Sequence, residues 1–121
     1  MSGAAVEKSL IPEDPEDVKL ITLARATLAR TGAAQAACVR DTEGRAYAAA
    51  SVRLEHLMLS AIGVAVAMAV SSAAGGLEAV ALVGDDKPSA EDLEIVRDLS
   101  GNGVTVWWAD SRGKVQSVIE L

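Results

Sequence analysis

The chain has 121 residues and a net charge of −6, and 50% of its residues are hydrophobic while 23% are charged. This composition indicates one globular domain with a sizeable core and excludes a disordered chain. The excess of acids argues against a nucleic-acid partner, because such a surface needs clustered Lys and Arg. The single cysteine, Cys38, excludes an intrachain disulfide and a thiolate zinc site. Residues 1–8 lack the pattern of a signal peptide, which indicates a cytoplasmic protein.

The N-terminal part of the chain divides into a polar tail, residues 1–13, and the start of a single domain over residues 14–121. A first helix is predicted to begin near Asp14 or Glu16 and to end at Thr31, with Gly32 as its C-terminal cap. Its apolar positions, which follow helical spacing only roughly, are Val18, Ile21, Leu23 and Leu28.

A β-hairpin is predicted next. Residues 36–40 form a short strand, Asp41-Thr42-Glu43-Gly44 forms the turn, and residues 45–52 form the return strand. Cys38 lies on the first of these strands, which we expect to be an inner one. The thiol is therefore expected to be a small buried hydrophobic group.

The run from Leu57 to Leu77 contains no charged residue. A membrane span needs roughly 20 apolar residues, but Ser and Gly dilute this run and no Trp or Tyr flanks it. A buried helix that ends at Gly75-Gly76 is the better interpretation, so no membrane contact is expected. Two stripes of small residues would let neighbouring backbones approach closely, and we expect part of this packing to come from another subunit. The stripes are Ala61, Ala65, Ala69 and Ala73, and Gly63, Ala67, Ser71 and Gly75.

The C-terminal part predicts a buried strand over residues 78–84, a helix over residues 89–99, and strands over residues 104–109 and 114–119. The order α-β-β-α-β-α-β-β predicts an α/β fold, a three-layer α-β-α architecture with a mixed five-stranded sheet. Trp107 and Trp108 are adjacent on a strand, so their rings are expected on opposite faces of the sheet, one of them in the core.

Three local patterns in this order resemble the small cytidine deaminases. They are the hairpin with Glu43-Gly44-Arg45 at its turn, the segment Ala69-Val70-Ser71 that leads into the strand over residues 78–83, and Pro88-Ser89-Ala90-Glu91-Asp92. The last stands where that family has Pro-Cys-x-x-Cys. The resemblance covers nearly the whole chain from the first helix onward, and it implies the deaminase fold. It also implies a dimer or tetramer whose catalytic helices meet near the subunit boundary.

The resemblance also implies a zinc site, for which the family pattern is H/C-x-E…P-C-x-x-C. By this resemblance the first zinc ligand falls at Ser60, the proton shuttle at Ile62, and the paired ligands at Ser89 and Asp92. A neutral Ser is a poor zinc ligand and Ile62 cannot carry a proton. Zinc, the cofactor expected for the family, is therefore predicted to be absent, and no catalytic residue is predicted.

The family's ribose-binding Asn-x-Glu is replaced by Ser51-Val52-Arg53. Ser51, Arg53 and His56 are therefore candidate ligand-binding residues for a small anion or nucleoside. The structural alternatives are that Arg53 pairs with a nearby acid such as Glu55, and that Ser89 and Asp92 form a helix capping box.

Three functions follow from these expectations. The leading one is a structural or interaction module in a homo-oligomer, without deaminase activity. The second is a small-ligand-binding protein that uses the remnant pocket. The third is an active cytidine deaminase, which the missing ligands disfavour.

Overall fold

The computed structural model of the protein describes residues 10–121, which form three helices and seven strands. They are α1 (Pro15–Thr31), β1 (Gln35–Asp41), β2 (Ala46–Ala50), β3 (Val52–Arg53), β4 (Met58–Leu59), α2 (Ala61–Ser71), β5 (Leu77–Gly84), α3 (Ala90–Ser100), β6 (Thr105–Ala109) and β7 (Val115–Glu120). The predicted order of elements is confirmed, with the short β3–β4 hairpin as an addition. Most of the predicted polar tail, residues 1–9, lies outside the described residues.

The central sheet has the strand order β2-β1-β5-β6-β7. Strand β1 is antiparallel to both β2 and β5, whereas β5 and β6 are parallel and are connected through α3. Strand β7 closes the sheet antiparallel to β6. All of β5 except Glu78 is buried, as expected for a strand covered on both faces.

Side chains that alternate along these strands build two separate cores. Cys38, Ala81 and Trp107 face α1, whereas Val80 and Val106 face α2 and α3. The three-layer α-β-α architecture and its mixed five-stranded sheet are therefore confirmed. Trp107 is 8% exposed in the core beneath α1, while Trp108 is partly buried on the opposite face, as the strand alternation predicts.

Helix α1 begins and ends where its caps predict. The Asp14 side chain accepts a hydrogen bond from the Glu16 N–H at 2.9 Å, and the Gly32 N–H donates to the Leu28 carbonyl at 2.9 Å. The residues of α1 that reach the core are Leu20, Ile21, Ala24 and Thr27. Two of the four apolar positions noted in the sequence, Val18 and Leu23, are instead exposed because they lie outside this stripe.

An ion network joins α1 to the sheet. The Arg40 guanidinium contacts Asp17 at 3.0 Å and Glu78 at 2.9 Å, and the Trp107 indole N–H donates to Asp17 at 3.2 Å. Burial alone would lower the pKa of Arg40, but the hydrogen bonds from its guanidinium to Glu78 and Asp17 raise it. Arg40 therefore stays charged and holds the helix against the sheet.

Helix α2 is shorter than the helix that was predicted from the uncharged run between Leu57 and Leu77. Residues 57–59 belong to the β3–β4 hairpin, and Leu77 already begins β5. The helix ends at Ser71, not at Gly75-Gly76, because Ala73 adopts a left-handed conformation with φ 69°. The Ala74 N–H then donates to the Ala69 carbonyl at 2.9 Å and the Ala73 N–H donates to the Val70 carbonyl at 3.0 Å. This pair of bonds is a Schellman motif.

The two small-residue stripes of α2 differ in burial. Ala61, Ala65 and Ala69 are fully buried, whereas Ala67 and Ser71 of the other stripe are exposed. Within one chain α2 is therefore buried on one side only. The further packing predicted from the sequence would have to come from another molecule.

Within residues 10–121, no helix combines the length and hydropathy that are needed to cross a bilayer.

Candidate functional site

Ser60 is the N-cap of α2. Its hydroxyl oxygen accepts a hydrogen bond from the Gly63 N–H at 3.0 Å, which satisfies one of the free donors of the first helical turn. A Cβ atom added at Gly63 would lie 3.1 Å from this oxygen, so the glycine makes room for the cap. The position expected for the first zinc ligand is thus part of the helix start.

Ser89 and Asp92 form a capping box at the start of α3, and this interpretation of the sequence is confirmed. The Asp92 N–H donates to the Ser89 hydroxyl at 3.0 Å, and the Ser89 N–H donates to the Asp92 carboxylate at 3.3 Å. Asp92 is only 4% exposed. The two positions expected for the paired zinc ligands are therefore bonded to each other's backbone.

Ile62 is fully buried and belongs to the core between the sheet and the helices α2 and α3. Val66 of the same helix and Val96 of α3 are part of that core. The position expected for a proton-shuttling carboxylate is therefore filled by packed hydrocarbon.

The residues present at these positions do not fit a zinc ion. Zinc sites in proteins use Cys sulfur, His nitrogen and carboxylate oxygen, with at least three protein ligands. Across the part of the chain that the structure describes, no group of three His, Cys, Asp or Glu side chains is arranged to hold a metal ion. Of the three residues at the ligand positions, only Asp92 has a side chain of these types, and it is part of the capping box.

Ser51 and Arg53 line an open cavity of about 410 Å³ beside the β3–β4 hairpin. Other residues of its wall are Gln35, Met58, Leu59 and Asp86. The Ser51 hydroxyl is held by the backbone of Gln35, from whose N–H it accepts at 3.3 Å. The positions expected for the zinc ligands and the proton shuttle are called the remnant-site positions; they are Ser60, Ile62, Ser89 and Asp92. None of them lines this cavity, so the two sets of candidate residues do not meet there.

His56 lies at the tip of the β3–β4 hairpin, and its side chain is 89% exposed. Its ring nitrogen Nε2 lies 3.5 Å from the Glu55 carboxylate. The expected Arg53–Glu55 ion pair does not form, since Glu55 faces His56 instead, and His56 is not part of the cavity wall.

Asp86 is a cavity residue that the sequence reasoning missed. It follows the carboxyl end of β5, whose neighbour β6 is parallel, and such strand ends are common places for ligand crevices. The signal in the sequence is the pair Asp85-Asp86 directly after the buried strand.

A second missed feature is the fully buried Asp41 at the β1–β2 turn. Its carboxylate accepts hydrogen bonds from the N–H groups of Glu43 and Arg45, the Arg45 guanidinium and the Tyr47 hydroxyl, at 2.8–2.9 Å. Burial would raise the pKa of Asp41, but the bonds from Arg45, Tyr47 and Glu43 outweigh it and lower the pKa. This carboxylate stabilises the hairpin turn, as an Asp at the start of a turn commonly does.

Cys38 is buried, as predicted, and burial raises the pKa of its thiol to about 11. The protonated thiol is a poor nucleophile and a poor metal ligand. It therefore contributes to the core and not to the site.

The sheet order, with one helix on one face and two on the other, defines a three-layer α/β fold. The sequence profile described as "Cytidine deaminase-like" matches residues 13–113. The chain belongs to this family.

Solved structures of three cytidine deaminases share the fold. The protein from Burkholderia pseudomallei is 18% identical with a TM-score of 0.73, covering 84% of this chain and 90% of that one. The Mycobacterium leprae protein is 18% identical with a TM-score of 0.66, covering 81% and 89% of the two chains. The Mycobacterium tuberculosis protein is 21% identical with a TM-score of 0.64, covering 73% and 80%. No curated protein sequence matches the chain.

Proposed function

We propose that the protein is a cytidine deaminase-like protein without deaminase activity that acts as a structural or interaction module in a homo-oligomer. The observation that carries this proposal is that all four remnant-site positions have structural roles. Ser60, Ser89 and Asp92 cap two helices, and Ile62 is packed in the core. Each position has a complete structural role that leaves no group for catalysis.

The chemistry of deamination explains why this arrangement matters. A zinc deaminase attacks the base with a metal-bound hydroxide and moves protons with a glutamate that is not a metal ligand. Neither a metal-binding set nor an acid at residue 62 is available in the described part of the chain. We therefore propose a protein that needs no zinc.

Exposed apolar side chains support the oligomer. They lie on the β3–β4 hairpin and on the uncovered side of α2, and they are Leu54, Leu57, Met58, Leu59, Met68 and Val70. Groups of exposed apolar side chains, here one group on the hairpin and one on α2, are a feature of protein–protein contact surfaces. Ala67 and Ser71 on the same side of α2 would allow a second backbone to approach closely. We propose a dimer or a tetramer in the cytoplasm.

Metal content and molar mass measured on the same purified sample test this proposal. We expect far less than one zinc per chain, no ammonia release from cytidine, and the mass of a dimer or tetramer by light scattering. One zinc ion per chain, or turnover of cytidine, would overturn the proposal that the protein has no deaminase activity. The mass of a monomer would overturn the proposal that the protein acts as a module in a homo-oligomer.

A pair of variants tests the surface itself. Val70→Glu places a charge on the exposed side of α2 and is expected to dissociate the oligomer. Ala26→Glu adds the same charge at an exposed position of α1 and should leave the mass unchanged. If both variants keep the mass of the wild type, the contact does not use this side of α2.

The cavity beside the β3–β4 hairpin supports a second candidate, the binding of a small anion or a nucleoside-like ligand. Arg53 forms no ion pair in the described residues, and Asp86 lies in the same wall. Thermal unfolding with cytidine, with cytidine monophosphate and with phosphate tests it. A shift with the nucleotide that Arg53→Gln abolishes and the exposed control Arg30→Gln retains would favour this function over the module.

A further inference from the structure

A second and larger cavity lies against α1, the helix that packs on the face of the sheet opposite α2 and α3. Its open volume is about 800 Å³, within the range of about 300–1,000 Å³ that is usual for small-molecule sites. Its walls come from residues 10–12, from α1 and from residues 113–116 at the start of β7. Ile11, Val18, Ile21 and Val115 make much of the surface apolar.

The charged residues that line this cavity are positive, although the chain as a whole has a negative net charge. The protein carries 17 acids and 11 Lys or Arg, yet among residues 10–121 no acid lines the cavity, while Arg25 and Lys114 do. Neither cation forms an ion pair within the described residues. The nearby Asp110 carboxylate is bound by the backbone N–H groups of Arg112 and Lys114. The cavity is thus an apolar groove with a positive rim.

Arg25 packs against the β6–β7 turn. A Cβ atom added at Gly113 would lie 3.2 Å from Arg25 Cδ, so the arginine stem packs directly over this glycine. Gly113 has φ 89°, a conformation that glycine adopts readily. The stem of Arg25 therefore lies on the side of the cavity that the β6–β7 turn forms.

We propose that this cavity binds an amphipathic carboxylic acid, such as an acyl-chain acid. The hydrocarbon would lie against Val18, Ile21 and Val115, and the carboxylate would pair with Arg25, close to Lys114. A guanidinium offers two parallel N–H donors to a carboxylate, which suits this headgroup. The proposal is independent of the proposed contact on α2, because α2 packs on the opposite face of the sheet from α1.

Calorimetric titration of the full chain with decanoate, below its micelle concentration, tests the proposal. Decanoate is expected to saturate at one molecule per chain, and decylammonium, with the same chain length and the opposite charge, is expected not to saturate. Arg25→Gln should weaken decanoate binding about fivefold, the loss expected for a partly exposed ion pair. Arg30→Gln, at an exposed position of the same helix, should leave it unchanged.

Val18→Ser tests the apolar wall separately, since Val18 is 44% exposed and the change should not unfold the chain. It is expected to weaken decanoate binding as well. Equal binding of decanoate and decylammonium, or no effect of Arg25→Gln, would overturn the proposal. It would also fail if Val18→Ser converted an oligomer to a monomer, because the groove would then be covered by a second copy of the chain.

Discussion

Replacement of Ile62 by Glu tests the central claim that this position is core and not pocket. The isoleucine is fully buried, so the loss of its burial costs about 1.5–3 kcal/mol. A buried polar group without a partner adds about 1–3 kcal/mol. The expected destabilisation of about 2.5–6 kcal/mol is a large part of the roughly 5–15 kcal/mol that holds a domain folded.

Urea unfolding followed by Trp fluorescence measures this change, and addition of zinc should not reverse it. The midpoint should fall by about 1 M or more, because a domain of this size loses about 1–3 kcal/mol per molar urea. Ile62→Val should cost only about 0.5–1.5 kcal/mol. Ala26→Glu at an exposed position should stay within about 0.5 kcal/mol of the wild type. If Ile62→Glu behaved like Ala26→Glu, residue 62 would face an open space, and the argument for a filled remnant site would be refuted.

Three further predictions follow from the structure. The pKa of Asp41 is lowered, so its carboxylate stabilises the fold above the ordinary Asp pKa, and this stability is lost as the pH falls through the lowered value. Asp41→Asn should therefore flatten the dependence of the urea midpoint between about pH 6 and about pH 3, and an unchanged slope would contradict this. Ala73→Gly relieves a left-handed alanine and should raise the free energy of unfolding by about 0.5–1 kcal/mol, whereas Ala67→Gly in the helix should lower it. Cys38, with a pKa of about 11, should not react with a disulfide reagent at neutral pH until urea unfolds the chain; rapid labelling of the native protein would show that the strand opens.

Features encoded by neighbouring residues could be predicted from the sequence. The ends of α1 follow from Asp14 and Gly32, and the capping box of α3 follows from Ser89 and Asp92, because each cap is satisfied within a few residues. The end of α2 could not be predicted. Gly75-Gly76 carries the stronger local signal, but the chain turns earlier, at Ala73.

Features that depend on residues far apart in the chain could not be predicted from the sequence either. The sequence does not show that Arg25 packs over Gly113, since the two lie 88 positions apart and meet only when the β6–β7 turn reaches α1. The burial of Asp41 depends on closure of the hairpin, which brings Arg45 and Tyr47 to its carboxylate. The candidate site was predictable as a set of missing groups. The capping box at Ser89 and Asp92 was predictable as well, but the cap at Ser60 and the burial of Ile62 in the core are visible only in three dimensions.

The placement of β5 has a consequence for how the chain folds. Strands β1 and β2 form one local hairpin and β6 and β7 form another, and β5 pairs with both. The pairing of β1 with β5 joins residues that are far apart in sequence, so it carries the largest loop-closure cost and should form late. Each face of β5 also supplies one of the two cores. A lesion in β5 should therefore separate the two hairpins and open both cores together, whereas a lesion in α1 should loosen only one.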